Sequence, residues 1–430
     1  MYRMQVYTKQ AFHHDICPTI LEPNTARATL PSPTSLLSWN GLHLNQSPTL
    51  DEEHVDVVSL SREQEECFLN LFWQSYHTIV PILKEAEFRA YYDSLWTSSS
   101  SGACRAASAL VDIILALCMQ YGSPLTTPGA AGVVVDDKDS SIAGRWLYRR
   151  SEPFLSYERE NPRLATIQCQ IYSSIYLMNA SFINMAHSTI ATATRAAYLL
   201  GFDRLSTDNV SKADQDLRQR AWWTLFLLDS QISMELGRPF LFDALGATFA
   251  PPTEDLLGAT MRDTEVPWFE DVNLLSYHTQ SVKLAFATRS ASEAFQLKCS
   301  EILTLSGKRD VHDDPKLLEE CARFLPQCMK PLRDWVDEVP KALRIARNGV
   351  GEPFSTARTT LDLDFNISLW LQRQRPLLEL LYHNFSMPFY RTFIGFQTRH
   401  IVLDTTFCGT CRLMHQSCLD NHEHSSSTPR

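Results

Sequence analysis

Between residues 61 and 386 apolar side chains recur three and four positions apart, and no useful length of chain alternates apolar with polar. The first pattern is that of helices buried along one face; the missing one is that of half-buried strands. Ser61-Arg62-Glu63-Gln64 has the form of a capping box, Phe68, Leu71, Phe72, Tyr76 and Ile79 follow at helical spacing, and Pro81 ends the run. Phe88, Tyr91, Tyr92 and Leu95 form a second stripe. Ala107, Leu110, Val111, Ile114, Cys118 and Tyr121 form a third over 103–121, closed by Gly122 and Pro124. The spacing predicts further helices over 142–151, 164–182, 186–200 with Gly201 in the C-cap position, 214–236, 272–298, 315–337 and 362–386. The expected fold is all-α, an irregular multi-helix domain over 60–396 without the parallel-sheet unit of dinucleotide or P-loop sites.

The flanks read differently. Residues 1–59 are rich in Pro, Ser, Thr and Asn without a period, which predicts a disordered lead-in, and 397–430 form an atypical tail with clustered cysteines and histidines. The 430-residue chain carries a net charge of −10, the wrong sign for gripping phosphates with its whole surface. Its 11 cysteines are odd in number and follow no repeating frame, as expected of reduced thiols serving as small hydrophobes. The N-terminus has no signal-peptide core, and the longest apolar run, ALVDIILALCM, contains Asp112 and is too short to span a membrane. These features predict a soluble intracellular chain with no membrane partner.

Three stretches invite a chemical reading. Asp136-Asp137-Lys138-Asp139 resembles a magnesium-binding aspartate motif, which would make the chain a helical enzyme acting on a prenyl diphosphate; its flanks are those of a solvated loop, and no second ligand motif follows. In the tail, Cys408, Cys411, His415 and Cys418 are spaced as one helical stripe about 15 Å long, too extended to close a tetrahedron around zinc; only a non-helical segment would leave a loose site open. His187, His278 and His383 have no partners at ligand spacing and are expected to be satisfied core or surface histidines. No nucleophile elbow, HExxH or phosphate loop occurs, so the expectation is not an enzyme, and no cofactor is assigned to this chain.

The stretch RQRAWWTLFLLDSQISMELGRPF, residues 218–240, is the most distinctive. Asp214 and Asp216 suit the first turn of a helix, and an apolar centre runs through Trp222 and Trp223 to Asp229. Gly237 supplies a left-handed stop, Pro239 prevents resumption, and Arg238 is expected to satisfy the last carbonyls. Asp229 in such a helix demands an arginine partner. Arg218, Arg220, Trp222, Trp223, Asp229, Gly237, Arg238 and Pro239 therefore read as structural rather than catalytic, metal-binding or DNA-binding.

Those residues resemble the regulatory domain of fungal-specific transcription factors, the middle homology region of the zinc-cluster activators, and stand nearest the xylanolytic-activator branch. Thr166-Ile167-Gln168, Tyr176 to Asn179 and ATATRAAYLLG at 191–201 are similar to the family's preceding helix pair. YHTIVPILKEAEF, LRDWVDEVPKAL at 332–343 and LLYHNFSMPFYRTFI at 380–394 resemble its other segments, with Thr392 in place of a proline. The resemblance implies transcription regulation in the nucleus, through the transcription machinery or a full-length regulator, with a small-molecule effector in view. The family's zinc belongs to a six-cysteine DNA-binding module, whereas before residue 60 this sequence has only Cys17; it reads as a regulatory domain shorn at both ends. DNA is then a partner only through an upstream module. No basic cluster marks nuclear import, Arg149-Arg150 being too short. The alternative within the same fold is a DNA-independent interaction protein that modulates a full-length regulator.

Overall fold

The computed structural model describes residues 60–97, 104–122, 140–204, 211–242, 268–269, 271–349, 351–357, 359–362 and 366–394. The Asp136–Asp139 loop and the Cys408–Cys418 stripe lie outside the described residues. So do the expected lead-in, residues 1–59, and the tail, residues 397–430.

The described chain is helical throughout, apart from two small antiparallel pairs. In order come α1 (Arg62–Gln74), α2 (Glu85–Thr97), α3 (Ala109–Gly122), α4 (Arg145–Tyr157), α5 (Leu164–Asn179), α6 (Ile183–Leu199) and α7 (Lys212–Leu236). After the pair β1 (Trp268–Phe269) and β2 (Val272–Asn273) follow α8 (Ser276–Ser306), α9 (Pro315–Cys328) and α10 (Lys330–Glu338). The pair β3 (Ala346–Arg347) and β4 (Leu361–Asp362) precedes α11 (Leu369–Ile394). The class is all-α, as the periodicity predicts.

Local chemistry accounts for the boundaries. Ser61 and Gln64 close the capping box reciprocally, the Ser61 Oγ accepting from the Gln64 N–H at 3.3 Å and the Gln64 Oε1 from the Ser61 N–H at 2.9 Å. The third helix starts at Ala109 rather than 103, because Ser108 caps it and the preceding Arg105 is drawn into a buried ion network. The helix expected over 315–337 is interrupted at Met329. Pro331 in the first turn of α10 has no N–H to continue the ladder, so the axis breaks there. The expected 272–298 helix runs on to Ser306, and the last helix begins at Leu369 because Leu361–Asp362 is paired as a strand.

α3 packs on α1, α4 and α5; α5 packs on α6, and α6 on α7. α8 bridges the two halves of this region, meeting α7 on one side and α9, α10 and α11 on the other. Cys321, Ala322, Leu325, Leu332, Ile302, Phe389 and Phe393 fill the core between α8, α9, α10 and α11. Gly144, just before α4, sits at φ 74° against α3, and a Cβ there would lie 2.7 Å from the Ala116 Cα. Both the left-handed conformation and the contact require glycine. Gly144→Ala should cost about 2–4 kcal/mol. A thermal melt that fails to move would mean that α3 and α4 stand further apart than described.

Candidate functional site

α7 carries the distinctive stretch and lies at the centre of the fold. The Ser211 Oγ accepts from the Asp214 N–H at 3.1 Å and starts the helix. Lys84, from the segment before α2, reaches Asp214 at 2.6 Å. From Ala221 to Ser233 most side chains are buried regardless of face, because α5, α6, α8 and α11 surround the helix. Trp222 meets Tyr198 and Phe242 edge to face, with ring centres 5.1 and 4.8 Å apart. Trp223 packs against Phe226 and Phe286 at 5.6 and 5.5 Å.

The partner of Asp229 is Arg289 of α8, at 2.7 Å, and both are buried. Asp229 also accepts from the backbone N–H groups of Leu241 and Phe242 at 3.0 and 3.3 Å and from the Ser233 hydroxyl at 3.1 Å. Arg289 in turn donates to the Ser230 Oγ at 2.7 Å and to the carbonyls of Phe242 and Phe226 at 2.9 and 3.3 Å. The rings of Phe226 and Phe240 lie 4.0 and 4.3 Å from its guanidinium carbon. Burial lowers the Arg289 pKa and the Asp229 carboxylate opposes that shift, leaving a fully partnered ion pair.

Gly-Arg-Pro makes this pair possible by turning the chain back. Gly237, at φ 63°, is the hinge of a Schellman-type end: its N–H donates to the Met234 carbonyl at 3.4 Å and the Arg238 N–H to the Ser233 carbonyl at 2.9 Å. Beyond Pro239 the returning backbone presents Leu241 and Phe242 to Asp229. The side chain of Arg238 does not cap the helix, contrary to the expectation. It points across to α6, contacting the Asn184 Oδ1 at 2.7 Å and the His187 Nδ1 at 3.2 Å. The arginine that reaches the end of α7 is Arg391 of α11, donating to the Glu235 carbonyl at 2.9 Å. A capping arginine need not be near in sequence, and no local signal separates the two candidates.

Arg218 lies over the Phe202 ring at 5.7 Å. Arg220 is different: its Nε reaches only the Asp216 carbonyl, at 3.4 Å, and among the described residues no carboxylate forms an ion pair with it. Burial lowers its pKa. Its charge also acts on His77, His278 and Tyr172. The Thr224 hydroxyl donates to the Arg220 carbonyl at 2.8 Å, so the His278 Nε2, 3.1 Å away, is the donor to the Thr224 oxygen. His278 is then neutral, its pKa pushed down to about 3 by burial and by Arg220.

Of the other histidines, His187 accepts from Arg238, and burial together with that charge lowers its pKa. His383 lies 3.8 Å from Glu379, which is also paired with Arg347. Among the described residues no three His, Cys, Asp or Glu side chains gather as a metal site, and no helix is long and apolar enough to cross a membrane.

A second buried ion network carries none of the distinctive stretch. Asp112 of α3 holds Arg105 at 2.5 Å and Arg150 at 2.6 Å, while Arg105 also holds Glu65 of α1 at 2.8 Å. A carboxylate inside the apolar run ALVDIILALCM carries the same signal as Asp229. Read in that way, Asp112 asks for an arginine partner too.

Residues 69–251 match the family described as the fungal specific transcription factor domain, which takes in α7 and the Gly-Arg-Pro turn. The chain is 38% identical over 399 residues to the terreic acid cluster-specific transcription factor of Aspergillus terreus, covering 91% of this chain and 57% of that protein. It is 37% identical over 336 residues to transcription factor asqA of Emericella nidulans, covering 77% and 59%. Against the oosporein cluster regulator of Beauveria bassiana the identity is 24% over 353 residues, covering 76% and 46%. The chain thus spans about half the length of these curated relatives, and no solved structure matches it significantly. Trp-Trp, the buried Asp229 and the Gly-Arg-Pro turn lie within the stretch that matches the fungal specific transcription factor domain, and the chain is similar to fungal transcription factors.

Proposed function

We propose that this chain is the regulatory part of a fungal transcription regulator that governs a gene cluster for a specialised product. The observation that carries the reading is the 38% identity over 91% of the chain to a cluster-specific transcription factor, with a second cluster regulator among the more distant relatives. The protein acts in the nucleus, on the transcription machinery or with a full-length regulator. With a net charge of −10, sequence-specific DNA contact falls to a separate basic module that holds the family's zinc. The helical domain supplies control: α7 and α8 are tied by the Asp229–Arg289 ion pair and by the Thr224–His278 hydrogen bond, and a change in what packs around them alters the surface offered to a partner.

The test is a fusion of the whole 430-residue chain to an unrelated DNA-binding module, with a reporter gene in a fungal host. Reporter output should change at least threefold relative to the module alone. A well-expressed nuclear fusion that leaves the reporter untouched in both activating and repressing formats rules the reading out.

A further inference from the structure

α8 and α9 pack on each other across a short turn, from Gly307 at φ 65° to Pro315 in the first turn of α9. Helices folded back in this way face residues equally distant from the turn, and Cys299 and Cys321 are equidistant from Asp310. The two thiols lie 3.6 Å apart, sulfur to sulfur, which is direct contact. Cys321 is buried in the core that holds Ile302, Leu318, Ala322 and Leu325, whereas Cys299 is half-buried at the edge of the same core. A lone buried cysteine behaves as a small hydrophobe. Two in contact are a dithiol, with chemistry of their own.

The Cys299 S–H donates and the Cys321 sulfur accepts. That hydrogen bond lowers the Cys321 pKa against the effects of burial and Glu320, and the charge of Lys298 works in the same direction. Cys299 is raised in turn, because giving up its proton would cost the bond. Lys298 is held near α9, its Nζ 5.7 Å from the centre of the Phe324 ring and 3.0 Å from the Glu301 carboxylate. Cys118 and Cys169 offer the contrast: burial pushes both thiols up, which keeps them inert. In an S–H···S⁻ bridge the proton can sit on either sulfur, so half-buried Cys299 can present a thiolate to a molecule arriving from solvent.

We propose that Cys299 and Cys321 form a dithiol site that a hydroperoxide oxidises to a disulfide, tying α8 to α9. The Cys299 sulfur attacks the terminal oxygen of the hydroperoxide; the O–O bond breaks, the alcohol leaves with a proton, and Cys299 becomes a sulfenic acid. The Cys321 sulfur then attacks the Cys299 sulfur; the S–S bond forms, the S–O bond breaks, and the hydroxyl leaves with the Cys321 proton as water. The two thiols together lose two electrons, and the peroxide is reduced to an alcohol and water. The sulfurs close from 3.6 Å to about 2.0 Å by rotation about both Cα–Cβ bonds and a slight approach of the helices. The bond joins positions 22 apart in the chain and so restricts the unfolded state. Its consequence rests on the regulatory reading above: α8 also carries Arg289, the partner of Asp229 on α7, so oxidation stiffens the helix that bridges the two halves of this region.

The test treats the purified, reduced 430-residue chain with a few equivalents of hydrogen peroxide and maps its thiols by alkylation and mass spectrometry. Trypsin cuts after Lys298, Lys308, Lys316 and Arg323, so the bond appears as one cross-linked peptide pair, 299–308 joined to 317–323, which dithiothreitol separates. The oxidised chain should melt about 3–8 °C above the reduced one. Cys299→Ala should melt within about 2 °C of reduced wild type, and peroxide should give it neither the cross-link nor the gain. Cys328→Ala, further along α9, should keep both. Finding both thiols still open to alkylation after peroxide overturns the site, and so does finding either one joined to a different cysteine. In the reporter fusion, peroxide should change output roughly twofold or more through the wild-type chain and leave Cys299→Ala unmoved. A cross-link with a silent reporter removes the regulatory reading and leaves the dithiol site standing; a responsive reporter without the cross-link does the reverse.

Discussion

Asp229→Ala lowers the melting temperature by roughly 5–10 °C, corresponding to about 3–5 kcal/mol for stranding one member of a buried ion pair. The carboxylate has no exposed surface and anchors Arg289 at 2.7 Å. It also holds the N–H groups of Leu241 and Phe242, so its loss frees the returning backbone that seats Phe242 on Trp222. Three costs coincide: an uncompensated guanidinium, two orphaned backbone donors and a loosened aromatic contact. Asp229→Asn keeps the shape and some of the acceptors, so it should fall between Ala and wild type. The double variant Asp229→Leu, Arg289→Met should recover part of the loss, because removing both charges removes the stranded one. A melting temperature for Asp229→Ala within 2 °C of wild type would mean that water reaches Arg289 freely.

The contrast between Asp229 and Arg238 shows what a linear sequence can disclose here. A carboxylate in an apolar helix announces its need for a cation, because burial without one is so costly. The identity of the cation is a tertiary matter: Arg289 lies 60 positions away on α8, and nothing local distinguishes it from the other arginines. Proximity alone points Arg238 to the helix end, but beyond the left-handed turn at Gly237 its side chain reaches α6, and Arg391 of α11 takes the carbonyl instead. The helices were legible because burial on one face leaves a period. Their ends were legible only where a local device sets them, as Ser61 and Gln64 do at α1. Met329, where one expected helix becomes two, is marked in the sequence only by the neighbouring Pro331. Arg220 stands in the same motif as Trp222 and Trp223, yet only the folded chain shows that its Nε meets the Asp216 carbonyl at 3.4 Å.

Asp112 should prove as sensitive as Asp229, and its network allows a sharper test because its two arginines differ in exposure. The Arg105 side chain is 3% exposed and that of Arg150 34%. Asp112→Ala leaves both without their shared carboxylate, but Arg150 can swing its head into water while its stem stays packed. Arg105 cannot do so; it keeps only Glu65, which itself accepts from the Tyr92 hydroxyl at 3.1 Å. Burial works to lower the Arg105 pKa, and Asp112 and Glu65 together outweigh it and raise it, so losing either carboxylate exposes that burial cost. The expected loss for Asp112→Ala is about 3–4 kcal/mol. Arg105→Ala should cost nearly as much, since it leaves the buried Glu65 without its cation and Asp112 with Arg150 alone. Arg150→Ala should cost only about 1 kcal/mol, as a half-exposed partner does. Chemical denaturation of the three variants reads the order directly. If Arg150→Ala proves as damaging as Arg105→Ala, then Asp112 relies on the outer arginine, and the buried contact between α1 and α3 is held by packing rather than charge.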